Sequence, residues 1–124
     1  MVIQFSPGAD GSTQAVRHPG IDRHRLEHFR NALYEQRRFR LEQLHQLAAS
    51  DRAASDQLME VEVALRTAAE AALADIDAAL TRVGNGSYGL CARCQRPILP
   101  ERLAILPAAA LCMRCQQNQE QPHR

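Results

Sequence analysis

Cys91, Cys94, Cys112 and Cys115 form two CxxC pairs with seventeen residues between them, the spacing of a single four-thiolate zinc site. Each CxxC turns both of its sulfurs toward one point, and a loop of this length brings the second pair round to complete a tetrahedron. A catalytic zinc keeps one position open for water or substrate, whereas four cysteines fill all four. The expected metal is therefore one structural Zn2+ that holds a fold together. A disulfide or thiol redox pair is the rival reading, and nothing else in the chain suggests the export that disulfides favour.

The elements that position these cysteines must come from a short chain. It has 124 residues, 45 % of them apolar and only five aromatic, so the core is expected to be thin. Many of the apolar residues are alanines, which bury little surface but let backbones approach closely, as packed helices require. The first twenty residues lack the basic and apolar runs of a signal peptide, and no stretch approaches a membrane span. The expectation is a cytoplasmic protein. All fifteen basic residues are arginine, which reads as the imprint of a GC-rich genome.

From about Ile21, Leu26, Phe29, Leu33, Leu41, Leu44 and Leu47 recur mostly at three- and four-residue steps, with a weak step around Arg37 and Arg40. This pattern predicts an amphipathic helix started by Asp22 and roughly 40 Å long. A second stretch, Leu58, Val61, Leu65, Ala68, Ala72, Ile76, Leu80 and Val83, keeps the same step and stops at Gly84, Asn85 and Gly86. Only residues 48–55 separate the two, so the helices must run antiparallel as a hairpin with that connection as its tip. Ser50, Asp51 and Ser55 are all candidate N-caps for the second helix.

The expected fold class is mainly α: a long antiparallel coiled coil with a C-terminal four-cysteine zinc-finger module and a short terminal helix. The domain plan is a tail at 1–20, a hairpin at 21–85, the finger and a short helix from about Cys112 within 86–121, and a tail at 122–124. A hairpin alone is mostly surface, so a globular base is expected at its open end, where the cysteine module arrives. Gly86 and Gly89 bracket Tyr88, read as a packing residue beneath the zinc site. Pro97 and Pro100 punctuate the return loop, and Pro107 precedes the alanines that lead to the second CxxC. Such a module has too little core to fold without metal.

Net charge is only +1, but its distribution is uneven: residues 22–47 carry six Arg against four acids, and residues 50–85 carry seven acids against three Arg. No uninterrupted basic stripe drives phosphate contacts, so direct DNA binding is not expected. No catalytic triad order, phosphate loop or HExxH is present, so the chain reads as a non-enzyme. His18, His24, His28, His45 and His123 stand apart from the cysteines and read as surface residues. Arg37, Arg38 and Arg40 read as a solvated helix face, with an acidic partner surface as the alternative.

The run Gly86-Ser87-Tyr88-Gly89-Leu90-Cys91-Ala92-Arg93-Cys94, followed by Ile98, Glu101-Arg102-Leu103, Pro107, Ala109 and Leu111-Cys112-Met113-Arg114-Cys115, resembles the signature of the DksA/TraR zinc-finger family. The similarity extends into the hairpin, where Asp51-Arg52-Ala53-Ala54 is similar to the family's tip motif. It implies a non-enzymatic, monomeric transcription regulator whose partner is bacterial RNA polymerase. The zinc-finger base would grip the rim of the secondary channel and the tip would reach toward the active centre. On that resemblance Asp51 and Ala53 are the partner-binding tip residues, and Asp51 can cap the second helix at the same time.

The chain departs from the family pattern in two places. Ala48 stands three residues before Asp51, where strongly active members carry a second aspartate, and Asp56 lies at the wrong spacing to replace it. Ala68, Asp75, Leu106 and Gln116 occupy positions where members that respond to ppGpp are basic, which implies action without ppGpp. The competing readings are a coiled-coil interaction adaptor that dimerises and a redox sensor whose oxidation ejects zinc.

Overall fold

Asp22 opens the first long helix and Gly86 closes the second, each by satisfying backbone groups that a helix end leaves free. The computed structural model describes residues 16–49 and 56–120. Its helices are α1 (Arg23–Ala49), α2 (Asp56–Asn85), α3 (Pro100–Ile105) and α4 (Met113–Glu120). The Arg25 amide donates to Asp22 Oδ1 at 2.8 Å, a side-chain N-cap that also sets a carboxylate against the positive end of the helix dipole. At the far end Gly86 takes φ 85°, and the amides of Ser87 and Tyr88 donate to Arg82 O at 3.0 and 3.1 Å. Only a residue without a Cβ adopts that left-handed turn cheaply.

α1 and α2 lie antiparallel, as the short connection requires, and the fold is mainly helical with a C-terminal four-cysteine module. The core sits at the open end of the hairpin. Phe29 and Leu33 of α1 and Ile76 and Ala79 of α2 pack with Tyr88, Ile98 and Leu103 of the module and with Cys91 and Cys115. Leu33, Ile98 and Leu103 are fully buried. α3 was not expected: Pro100 occupies its first turn, where the missing N–H costs nothing, and Leu103 is the side chain it drives into the core.

The seam differs from the periodic reading on the second arm. Ala69, Ile76 and Ala79 are buried, Ala68 is exposed, and Val61 and Leu65 remain 52 % and 44 % exposed. Arg37 Nε donates to Asp77 Oδ1 at 2.7 Å across the arms. That contact sets the level of α1 against α2 in the described part of the hairpin. Leu41, also placed on the seam by its spacing, is 42 % exposed. Arg37 and Arg40, by contrast, are half-buried on the inner side of α1, Arg40 bonded to Gln43 at 3.0 Å.

The last five residues assigned to the N-terminal tail are part of the base. Val16 and Ile21 pack on the core, the Arg17 amide bonds to Gly86 O at 3.3 Å, and His18, read as a surface residue, is only 4 % exposed. His18 Nδ1 accepts from the Gly20 amide at 2.9 Å, so Nε2 carries the proton and donates to Ile98 O at 2.6 Å. Gly89, at φ 86°, lies against this ring, and a Cβ there would fall 2.8 Å from His18 Cδ2. His18→Ala should cost about 1–3 kcal/mol by leaving a buried carbonyl and amide unpaired. A thermal midpoint lowered by at least a few degrees, with bound zinc unchanged, is the expected result.

Candidate metal centre

The first CxxC is a tight turn held by its own backbone. The Cys91 amide donates to Arg96 O at 2.8 Å and the Gln95 amide to Cys91 O at 2.9 Å. Gln95 completes the turn in the left-handed region at φ 68°. The antiparallel bridge between Leu90 and Pro97, with the Ile98 amide on Gly89 O at 2.7 Å, closes the ribbon beneath it. The second CxxC uses a helix instead. Cys112 immediately precedes α4 and Cys115 lies in its first turn, where the Gln116 amide donates to Cys112 O at 2.9 Å. The two halves are tied by the Ala92 amide, which donates to Ala110 O at 2.8 Å.

This arrangement brings Cys91, Cys94, Cys112 and Cys115 Sγ within 4.8 Å of one another, with Cys94 and Cys112 Sγ 3.8 Å apart. Tetrahedral zinc with Zn–S of about 2.3 Å places its sulfurs about 3.8 Å apart, so the donor set fits that ion in type, number and spacing. Among the described residues these four form the only group of three or more metal-ligating side chains at such distances. All four are free thiols. His24 and His28 are exposed, and among the described residues they belong to no group of three metal-ligating side chains.

The thiols are not equivalent. Burial raises the Cys91 pKa, but the backbone amides of the knuckles outweigh it, and the net direction is down. Cys112 is lowered chiefly by the Cys115 amide at the start of α4, as expected for a thiol at a helix N-terminus. Cys115 moves the other way: burial, followed by the neighbouring sulfurs, pushes its thiol up. One side of the cluster thus favours thiolate while the other retains its proton until a cation compensates the charge.

Tyr88 is the support beneath the site and is 1 % exposed. Its hydroxyl donates to Pro107 O at 2.7 Å, and its ring packs against Phe29 with centroids 5.7 Å apart. Beside it, Arg82 reaches Ala109 O at 3.4 Å, and burial lowers its pKa. The distant hydrogen-bond partners of Tyr88 and His18, Pro107 O and Ile98 O, are backbone carbonyls, which no sequence pattern identifies. The Pro19-Gly20 turn beside His18 was the available hint, and the Ile21 amide does bond back to His18 O at 3.2 Å. Asp51 and Ala53, the expected tip residues, lie outside the described residues.

Residues 86–121 match the family model of the prokaryotic dksA/traR C4-type zinc finger. The RNA polymerase-binding transcription factor DksA of Caulobacter vibrioides is 35 % identical over 75 residues, covering 60 % of this chain and 53 % of that protein. An uncharacterized protein of Aquifex aeolicus is 35 % identical over 65 residues, 52 % of this chain and 40 % of its own length. The chain thus spans about half the length of these relatives or less. The solved structure of transcription factor DksA2 from Pseudomonas aeruginosa superposes with a TM-score of 0.68 at 25 % identity, covering 80 % of this chain and 85 % of that one. Residues 86–121 therefore carry a zinc finger of the dksA/traR C4 type with four sulfurs at zinc spacing, and the chain shares the fold of the solved DksA2 structure.

Proposed function

We propose that this protein is a non-enzymatic regulator of transcription initiation that binds bacterial RNA polymerase. Its zinc-finger base would hold the rim of the secondary channel while the hairpin enters toward the active centre. The observation that carries this reading is the likeness to the RNA polymerase-binding factor DksA, joined to a hairpin rooted in a single core that includes Cys91 and Cys115. α2 spans 30 residues, about 45 Å of rod. One zinc, structural and bound by Cys91, Cys94, Cys112 and Cys115, completes the base. The protein acts as a monomer without sequence-specific DNA contacts, in the cytoplasm where polymerase resides. Asp51 and Ala53 are the proposed tip contacts.

Action without ppGpp is part of the same proposal. Asp75, Leu106 and Gln116 line a groove of about 900 Å3, with Arg102 the one basic residue among the described residues of its lining and Glu120 also part of it. Gln116 Nε2 is already engaged with Glu120 at 2.6 Å. Two carboxylates against one guanidinium make a poor seat for a polyphosphate. The test is transcription by purified polymerase with the parent chain and Asp51→Asn, each with and without ppGpp. Equal binding with loss of the transcriptional effect in the variant supports Asp51 as the active-centre contact. Saturable enhancement by ppGpp that depends on this protein would overturn the ppGpp-independent reading.

A further inference from the structure

The finger gathers positive charge that the sequence scatters. Arg93 stands inside the first CxxC, Arg96 just after it and Arg114 inside the second. The four sulfurs lie within 4.8 Å of one another, so both knuckles close on one point. The Arg93 amide donates to Cys91 Sγ at 3.4 Å, Arg96 O accepts from the Cys91 amide at 2.8 Å, and Arg114 sits in the first turn of α4. All three side chains are exposed, and none makes a hydrogen bond or ion pair among the described residues. Residues 78–119 hold five Arg and one acid, Glu101. That surplus exceeds the two negative charges that four thiolates carry beyond one Zn2+. The undescribed stretches 1–15, 50–55 and 121–124 contain two acids, Asp10 and Asp51, matched by Arg52 and Arg124, so they cannot neutralise it.

We propose that Arg93, Arg96 and Arg114 form a sequence-independent contact for the phosphodiester backbone of a nucleic acid. The inference goes beyond the polymerase reading and does not rest on it. The chain has no contiguous basic stripe, but the fold brings together at the two knuckles the cluster that the sequence lacks. The make-up of this surface selects the occupant. Residues 92–97 are exposed throughout and contain no aromatic and no large aliphatic side chain. Protein interfaces deplete charge at their centre in favour of aromatic and apolar residues, whereas nucleic-acid interfaces are polar and strongly positive. Without aromatic rings to stack bases, the contact is with backbone rather than with unpaired bases. Guanidiniums bind phosphate oxygens bidentately and hold their charge at any physiological pH. Three such contacts give a weak, salt-sensitive attachment.

Fluorescence anisotropy with the full-length, zinc-loaded chain tests this, using short labelled duplexes of mixed sequence, one of DNA and one of RNA. On DNA the logarithm of affinity should fall against the logarithm of salt with a slope of about −2.7, about 0.9 for each of three phosphates. Each single Arg→Gln change should reduce that slope by about 0.9. Arg93→Gln/Arg96→Gln/Arg114→Gln should lose about tenfold or more in affinity at low salt, with bound zinc and thermal midpoint unchanged. Arg23→Gln/Arg30→Gln/Arg38→Gln removes the same charge from α1 and should bind like the parent. Binding of either duplex supports the proposal, and the tighter one names the source. No binding at low salt, binding unchanged in the finger variant, or an equal loss in the α1 variant overturns it. Displacement by polyglutamate as effective as by unlabelled DNA at equal charge would make the occupant an acidic protein surface, which also overturns it. If the triple finger variant loses zinc, the slopes of the three single variants decide. No polymerase is present, so the outcome is independent of the polymerase reading.

Discussion

Cys91→Ser, or complete removal of zinc from the parent, should unfold the base and detach it from the hairpin. The reason is the composition of the core. Cys91 and Cys115 are themselves core residues, packed with Phe29, Leu33, Ile76 and Tyr88, so losing the metal loosens both the ligands and the packing they support. Structural zinc in finger-sized peptides is worth about 10–16 kcal/mol of apparent folding free energy, as much as the entire stability of an ordinary domain at about 5–15 kcal/mol. The expected observations are one zinc released per chain, loss of the near-ultraviolet tyrosine signal, and a helical signal reduced but not abolished. A chain that keeps its tertiary signal and polymerase affinity after full chelation would refute the metal-dependent base.

The thiol asymmetry gives this prediction a proton-linked arm. Zinc binds thiolates, and the Cys115 thiol is raised by burial and its neighbours, so loading must expel a proton there even at neutral pH. Cys91 and Cys112 are lowered and release correspondingly less. The sign follows: zinc affinity weakens as pH falls, because protons compete for the same sulfurs. Calorimetry of zinc loading in buffers of different ionisation enthalpy reads the number of protons released.

Tyr88→Ala should be the most damaging single change outside the cysteines, at about 3–5 kcal/mol, because a fully buried ring leaves a cavity that the surrounding helices cannot close. Tyr88 touches both halves of the molecule, through Phe29 on α1 and Pro107 in the finger. Tyr88→Phe keeps the ring and removes only the donor to Pro107 O, so its cost should be about 1–2 kcal/mol. The ratio of the two effects separates packing from hydrogen bonding. Denaturant unfolding of the zinc-loaded variants measures both, and equal losses would mean that the hydroxyl, rather than the ring, seats the finger.

What could be read without coordinates was set by local chemistry. The two CxxC pairs announce a four-sulfur site because two residues of separation let one turn aim both sulfurs at a point. Asp22 and Gly86 mark helix ends because capping and left-handed turns depend on a few adjacent residues. The leucine spacing marked two helices, and the short connection made them antiparallel.

Tertiary structure decided the rest, for one physical reason: those features depend on partners far away in the chain. A three-and-four spacing defines which face of a helix is apolar but carries no information about stagger. The register of α1 against α2, and with it the burial of Ala69 rather than Ala68, emerged only with the Arg37–Asp77 contact. His18 looked like any polar residue near a chain end until Ile98 O came within 2.6 Å of its ring across 80 residues. Local sequence thus specified the sulfur ligands and the two rods. Long-range packing determined how the rods slide past each other and what latches the base beneath them.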